Sequence, residues 1–201
     1  MARALLITGA TDNQGGAVVD ALFSKDSSDF LILAAIRDAE STRAEQLTAK
    51  SASIKFIKGD LNSVPGLLAS AKKVAGNMSL RGVYSVQVSV GKGVTLEGER
   101  VERGGDEKSW DNLTPVPHFK TKHEIEHCLC DSTAKHPMGW KILRPVIFME
   151  NLHPGFAGKV FLTSLRDTMR DKPLQWVATK DIGYFTAGEP VGTTFRCSAR
   201  H

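Results

Sequence analysis

The sequence predicts an α/β fold built on a parallel sheet with helices on both faces. Short apolar runs recur at Ala4–Thr8, Leu31–Ile36, Ile54–Ile57 and Val83–Val88, and segments with helical spacing separate them, the order that right-handed crossovers produce. A glycine-rich turn joins the first run to the first helical segment. The 201 residues, 41% hydrophobic and 24% charged, suffice for a core without disulfide staples and exclude global disorder.

Each element has a local reason. Ala4–Thr8 is continuously apolar, as a strand buried on both faces requires. From Gly16 to Phe23, residues Ala17, Val18, Ala21 and Leu22 recur at helical spacing. Leu31–Ile36 is the second strand, and Ser41 caps a short helix to Thr48. Ile54–Ile57 is the third strand; Ser63 caps the next helix and Pro65 fits its first turn. Val83–Val88 is the fourth strand. From Gly91 to Asn112 the charged stretch GKGVTLEGERVERGGDEKSWDN carries no period and reads as a solvated excursion. A helix follows from His118 to Leu129, with Phe119, Ile125, Cys128 and Leu129 toward the core. Trp140–Leu143 reads as a strand, Val160–Met169 as a helix and Leu174–Ala178 as a strand. Asp181 caps a last helix through Ile182 and Phe185, which Gly188 and Pro190 stop. The expected division is a dinucleotide-binding domain over 1–158 and the remnant of a smaller lobe over 159–201.

The charge balance, 26 basic against 22 acidic residues, is mildly positive and scattered, so it does not call for nucleic acid. Three cysteines, Cys128, Cys130 and Cys197, suit a reducing compartment, and the C-x-C spacing is not that of a zinc ribbon. The longest apolar run falls far short of the ~20 residues of a membrane span, and the N-terminal stretch lacks the pattern of a signal peptide. These features point to the cytoplasm or nucleus.

The chemistry concentrates in T-G-A-T-D-N-Q-G-G. Gly9, Asp12 and Gly15 hold the three positions of a G-x-x-G-x-x-G turn between strand and helix. Gly9 permits the tight exit from the strand, and Gly15 with Gly16 lets the helix start lie close to the sheet. The free N–H groups and positive dipole end of the helix suit a pyrophosphate. The segment Gly9, Ala10, Thr11, Asp12, Asn13, Gln14, Gly15 is therefore the candidate dinucleotide loop, with Asp12 placing a negative charge where glycine is usual. Arg37 follows the second strand, where an acidic residue would hold a ribose 2′-OH; its guanidinium instead suits a 2′-phosphate, favouring NADP over NAD. Asp38 beside it opposes that preference.

On these pieces the chain resembles the NmrA-like family, atypical members of the short-chain dehydrogenase/reductase superfamily. The resemblance rests on TGATDNQGGAVVDAL, LAAIRD, GDL, VYSVQ, ERGGDEKSWDN, VPHFKTKHEIEHCL, ILRPVIFMENL and VATKDIGYF. It implies a Rossmann-like domain binding NADP (NADPH), with Asp60 and Leu61 on the adenine side and Gln87 near the ribose. Lys122 corresponds to the family's helix lysine, and Phe148, Met149, Glu150 and Asn151 lie toward the nicotinamide. It also implies a redox sensor that acts through a regulatory protein partner, with a homodimer as a second form of association. NADPH-dependent reduction of quinones or carbonyls is the alternative. Against the family pattern the chain looks shortened, by a helix–strand unit after the fourth strand and by the C-terminal lobe.

The catalytic comparison bears on that choice. Classical short-chain dehydrogenases use Tyr-x-x-x-Lys, in which the lysine lowers the tyrosine pKa. Here the pattern is His118-x-x-x-Lys122, and histidine can act as acid or base near neutrality. The absent tyrosine favours the sensor. His123-Glu124-Ile125-Glu126-His127 matches H-E-x-x-H, but Cys130 and Thr133 stand where an extended zinc motif needs other residues. With Ile125 and Leu129 inward, both histidines are expected to face solvent and no metal is expected. No G-x-S-x-G nucleophile elbow occurs.

Overall fold

The computed structural model describes residues 3–24, 30–59, 61–86, 117–135 and 139–188, with the side chains of 117–121 and 134–135 outside that description. Its centre is a four-stranded parallel sheet in the order β3-β2-β1-β4. The strands are β1 (Arg3–Thr8), β2 (Phe30–Ile36), β3 (Ile54–Lys58) and β4 (Ser79–Tyr84). The helices between them are α1 (Asn13–Ser24), α2 (Thr42–Lys50) and α3 (Val64–Ala75). The order reverses between β1 and β4, the switch point at which open α/β sheets bind ligands.

Alternation along the strands splits the core into two layers. Ile7, Ile32, Ala34 and Ile54 face α1 with Ala10, Val18, Val19, Leu47 and Ile182. Ala4, Leu6, Leu33, Ala35 and Ile57 face α3 with Leu67, Ala71 and Ala75. Both faces of the sheet are thus covered, which is why β1 and β2 read as unbroken apolar runs. The doubly wound, Rossmann-like architecture expected from the sequence is the one observed.

Beyond the first sheet come α4 (Pro117–Lys135), β5 (Ile147–Phe148), α5 (Phe156–Met169), β6 (Trp176–Val177) and α6 (Thr179–Ala187). β5 and β6 pair in parallel as a separate ribbon, Ile147 opposite Trp176. α6 packs along α1 through Gly183, where a Cβ would overlap the Ala17 carbonyl oxygen and come within 3.2 Å of Ala21 Cβ. Only glycine permits this approach, so the helix that opens at the glycine-rich turn is braced by the last helix.

Several local expectations are corrected. β4 begins at Ser79 and ends at Tyr84, because its ladder with β1 runs from Arg3↔Ser79 to Ile7↔Tyr84; residues 87–90 lie outside the described residues, as does the excursion to 112. Ser41 does cap α2, its hydroxyl accepting from Ala44 N at 3.4 Å. Ser63 makes no side-chain cap bond to α3, because it closes a 3-10 turn over Leu61–Ser63. Residues 140–143 form no strand. Among the described residues they have no ladder partner, and side chains hold them instead: Trp140 Nε1 donates to Thr133 Oγ1 at 3.0 Å, and Arg144 pairs with Glu126. Asp181 is not the cap of α6. That position is Ala178, whose N–H donates to Asp181 Oδ2 at 3.2 Å.

The buried stripe of α4 also differs. Glu126 and Cys130 are buried, whereas Cys128 is exposed and Ile125 and Leu129 are half-buried. At ~100° per residue, Glu126, Cys130 and Thr133 share one face. The bidentate bond from Arg144 makes a carboxylate tolerable there, which apolar patterning does not foresee. No helix among the described residues is long and apolar enough to cross a membrane.

Candidate functional site

The turn after β1 is built by close packing. Gly9 has φ +62°, and a Cβ there would lie 2.6 Å from Val86 Cγ1. Thr8, the last residue of β1, locks the same neighbour. Its hydroxyl accepts from Val86 N at 3.0 Å and donates to Val86 O at 3.4 Å. The chain leaving β4 is thereby fixed beside the turn. Asp12 N donates to Gly9 O at 2.9 Å, and Gly16 N donates to Asp12 O at 2.8 Å, which starts α1. Gly15 is buried with its Cα against the Gly9 carbonyl; a Cβ would lie 2.5 Å from the Gly9 carbonyl carbon and 2.9 Å from Ala10 N. Gly16 is different, since a Cβ there would meet nothing nearer than Ala10 O at 3.6 Å. The close approach belongs to Gly15 alone.

These residues fit a pyrophosphate. The first-turn N–H groups of Asn13, Gln14 and Gly15 precede the first intrahelical bond, and a helix start offers such groups to an anion. Among the described residues no hydrogen bond ties the Asp12 carboxylate to them. A Cβ built on Gly9 would lie 3.3 Å from Asp12 Oδ2, so the carboxylate leans back over the turn. Ala10 is buried in the core, Thr11 and Gln14 are half-buried and Asn13 is exposed.

Arg37 stands exposed one residue beyond β2, on the edge that carries the turn. Asp38 is engaged within its own loop: its Oδ1 accepts from Glu40 N at 3.0 Å and its carbonyl from the Ser41 hydroxyl at 3.1 Å. The acidic neighbour thus has another task. Sequence reasoning missed Arg43, in the first turn of α2, whose Nη1 reaches Thr11 O at 3.5 Å. The contact is long, but it places a second guanidinium at the turn. No spacing rule singles it out; only the return of α2 past the loop does.

The other candidates lie farther along the chain. Leu61 begins the turn after β3 and packs against the α3 side of the core. Asp60, Gln87 and the side chain of His118 lie outside the described residues. Lys122 is half-buried on α4, one turn before Glu126. Phe148 packs against the core layer that holds Ala10 and Val18, which puts β5 on the α1 side of the sheet. Met149 and Asn151 are exposed. Glu150 is fixed: its Oε1 accepts from Thr179 N at 2.8 Å and Thr179 Oγ1 at 2.7 Å, at the start of α6, where a carboxylate also complements the helix dipole. Its Oε2 is buried and has no hydrogen-bond partner among the described residues. An amide donor would satisfy that acceptor.

Burial pushes the Glu150 carboxyl up, but the bonds from the Thr179 hydroxyl and backbone, its own backbone bond and the nearby His153 outweigh it, and the pKa falls below the ordinary 4.5. A depressed folded value stabilises the fold above the unfolded pKa, and the contribution disappears as pH falls through the folded one. Replacing Thr179 by valine is expected to cost about 1 kcal/mol at pH 7, the net worth of one such bond discounted for solvent screening. The cost should shrink in acid as Glu150 protonates. Urea denaturation of both chains at pH 7 and below 4 reads the difference; a cost independent of pH would refute it.

The chain has two tyrosines. Tyr84 lies on β4 with its pKa pushed up to about 12 by burial, and Tyr184 lies on α6. Neither precedes Lys122 by one helical turn, so His118 is the residue in that position.

Among solved structures the chain is similar to a 3-oxoacyl-[acyl-carrier protein] reductase from Brucella melitensis. The TM-score is 0.57 at 14% identity, over 94% of this chain and 89% of that one. The same-named reductase in complex with NAD gives 0.56 at 16% identity, over 94% and 89%. A variant of ElxO with NADPH bound gives 0.56 at 16% identity, over 97% and 94%. At such identities the likeness is one of fold. No family model and no curated protein matches the sequence.

Proposed function

We propose that this chain is a nicotinamide-dinucleotide-binding protein of the short-chain dehydrogenase/reductase type that prefers NADP(H) and reduces carbonyl or quinone substrates. The observation that carries the reading is the turn at the β1–β4 switch point. There Gly9 and Gly15 leave no room for side chains, and Asn13, the first residue of α1, is exposed. The Brucella melitensis neighbour is named as a reductase and was also solved with NAD, and the ElxO variant was solved with NADPH, which supports a nicotinamide cofactor here. Arg37, exposed one residue beyond β2, and Arg43, whose Nη1 reaches Thr11 O, support the 2′-phosphate preference. Lys122 and His118, one helical turn apart, are the candidate proton-handling residues; the cofactor would supply the hydride. Membership of the NmrA-like subgroup belongs to the same proposal, resting on the quoted segments.

The second reading, a cofactor-dependent sensor with a protein partner, is favoured by one observation: no tyrosine stands four residues before Lys122. Both readings require the cofactor, and turnover separates them. Calorimetry with NADPH and NADH should give at least about tenfold tighter binding of NADPH, a difference of about 1.4 kcal/mol that one charge-assisted phosphate pair can supply. Arg37→Ala should remove the preference while leaving NADH binding unchanged. Equal affinities in the unaltered chain would overturn the Arg37 assignment. NADPH oxidation with a panel of quinones and carbonyls, lost on Lys122→Ala, supports the reductase; binding without turnover supports the sensor.

A further inference from the structure

The sequence places His123 and His127 toward solvent, but the structure brings them together. Both are half-buried, with ring centroids 4.3 Å apart, an interplanar angle of 61° and the two Nε2 atoms 3.0 Å apart. On α4 they lie on the flank of the buried Glu126–Cys130 stripe opposite Lys122, by ~100° of rotation per residue. The proposed dinucleotide site makes no use of them.

We propose that His123 and His127 form a two-histidine chelate for a late first-row divalent cation with tetragonal or octahedral preference, Ni2+ or Cu2+. With metal–nitrogen bonds of about 2.0–2.1 Å, nitrogens 3.0 Å apart subtend about 91–97° at the metal. That is the cis angle of square-planar and octahedral sites, and it is narrower than the tetrahedral angle zinc prefers. The two nitrogens already converge, and a helix holds their spacing, so little side-chain freedom is lost on binding. Two imidazoles suit this class of cation, and its affinity order peaks at copper. Among the described residues no group of three His, Cys, Asp or Glu side chains forms a metal cluster. Water would therefore fill the remaining positions. Binding replaces the Nε2···Nε2 hydrogen bond: both imidazoles present Nε2 lone pairs with their protons on Nδ1, so two neutral rings bind without net proton release. The chelate weakens as either ring is protonated.

Calorimetric titration of the tag-free full chain with NiCl2 tests the proposal; Ni2+ avoids copper redox chemistry at the exposed Cys128. About one Ni2+ per chain is expected, with affinity falling about tenfold or more in His127→Ala and in His123→Gln, and unchanged in His153→Ala. Thermal midpoint should rise with Ni2+ in the unaltered chain and not in either pair variant. Circular dichroism identifies a variant that fails to fold, and the other variant then decides. Absence of saturable Ni2+ binding to the unaltered chain, or equal binding by a folded pair variant, overturns the proposal. Neither result touches the dinucleotide reading, because NADPH binding is read separately on the same samples.

Discussion

Gly15→Ala is expected to weaken NADPH binding ~100-fold, while Gly16→Ala, one residue on, binds as the unaltered chain does. The contrast follows from what each new methyl group would meet. At Gly15 it lands 2.5 Å from the Gly9 carbonyl carbon and nearer still to the oxygen, with Ala10 N at 2.9 Å. All of these are backbone atoms, which cannot swing away as a side-chain tip can. Relief requires the start of α1 to move off the sheet, or Gly9 to give up the positive φ that shapes the exit from β1. Helix propensity works the other way, since alanine in place of glycine gains ~1 kcal/mol, but overpacking of ~1–3 kcal/mol or more outweighs it. The displacement falls on the N–H groups proposed to hold the pyrophosphate. Losing two charge-assisted bonds at about 1.5 kcal/mol or more each lowers affinity ~100-fold. At Gly16 the methyl group meets Ala10 O at 3.6 Å, an ordinary contact. Fluorescence titration with NADPH, with thermal midpoints to verify folding, reads both variants. A folded Gly15→Ala chain with affinity within about threefold of the parent would remove the turn from the site.

Which features the sequence reveals depends on the range of the interaction that makes them. β1, β2 and β3 are legible because burial on both faces leaves continuous apolar runs such as Leu31–Ile36. The turn after β1 is legible because steric exclusion admits only glycine at Gly9 and Gly15. The boundary of β4 is not, because the residues Ser79 to Gly82 become strand through the ladder with β1, a partner over seventy positions away. Trp140–Leu143 fails in the opposite direction: Trp140 is tied to α4 through its indole N–H and Leu143 packs against the α1-side core, and neither joins a ladder. Arg43 and the Thr8–Val86 lock are invisible for the same reason, since each exists only once two remote segments meet. The loss of Cys128 from the expected face of α4 traces to one residue. A carboxylate at Glu126 reads as surface until its cation, eighteen positions later, is found beneath it.

That cation is the site of the second large effect. Arg144→Met is expected to destabilise the protein by about 3–5 kcal/mol, whereas Arg144→Met combined with Glu126→Leu should recover most of the loss. Arg144 Nε and Nη2 reach Glu126 Oε1 and Oε2 at 3.0 and 2.5 Å, a bidentate fork in which the carboxylate is 1% exposed and the guanidinium 19%. Removing the arginine strands an ion that cannot reach water, so the single variant bears the full desolvation penalty. Removing both leaves an apolar contact of similar volume, often neutral or better. Against a total stability of about 5–15 kcal/mol the single loss is a large fraction, and at about 2–4 °C per kcal/mol for this size it lowers the thermal midpoint by ~10 °C. The pair also fixes the segment leading to Phe148 and Glu150 against α4, one turn from Lys122. Methionine and leucine can restore burial there, but not the two-pronged orientation of a guanidinium on a carboxylate. The double variant should therefore recover its urea midpoint while losing part of any Lys122-dependent turnover. A double variant as unstable as Arg144→Met alone would mean that packing volume, and not the stranded charge, sets the energy at this contact.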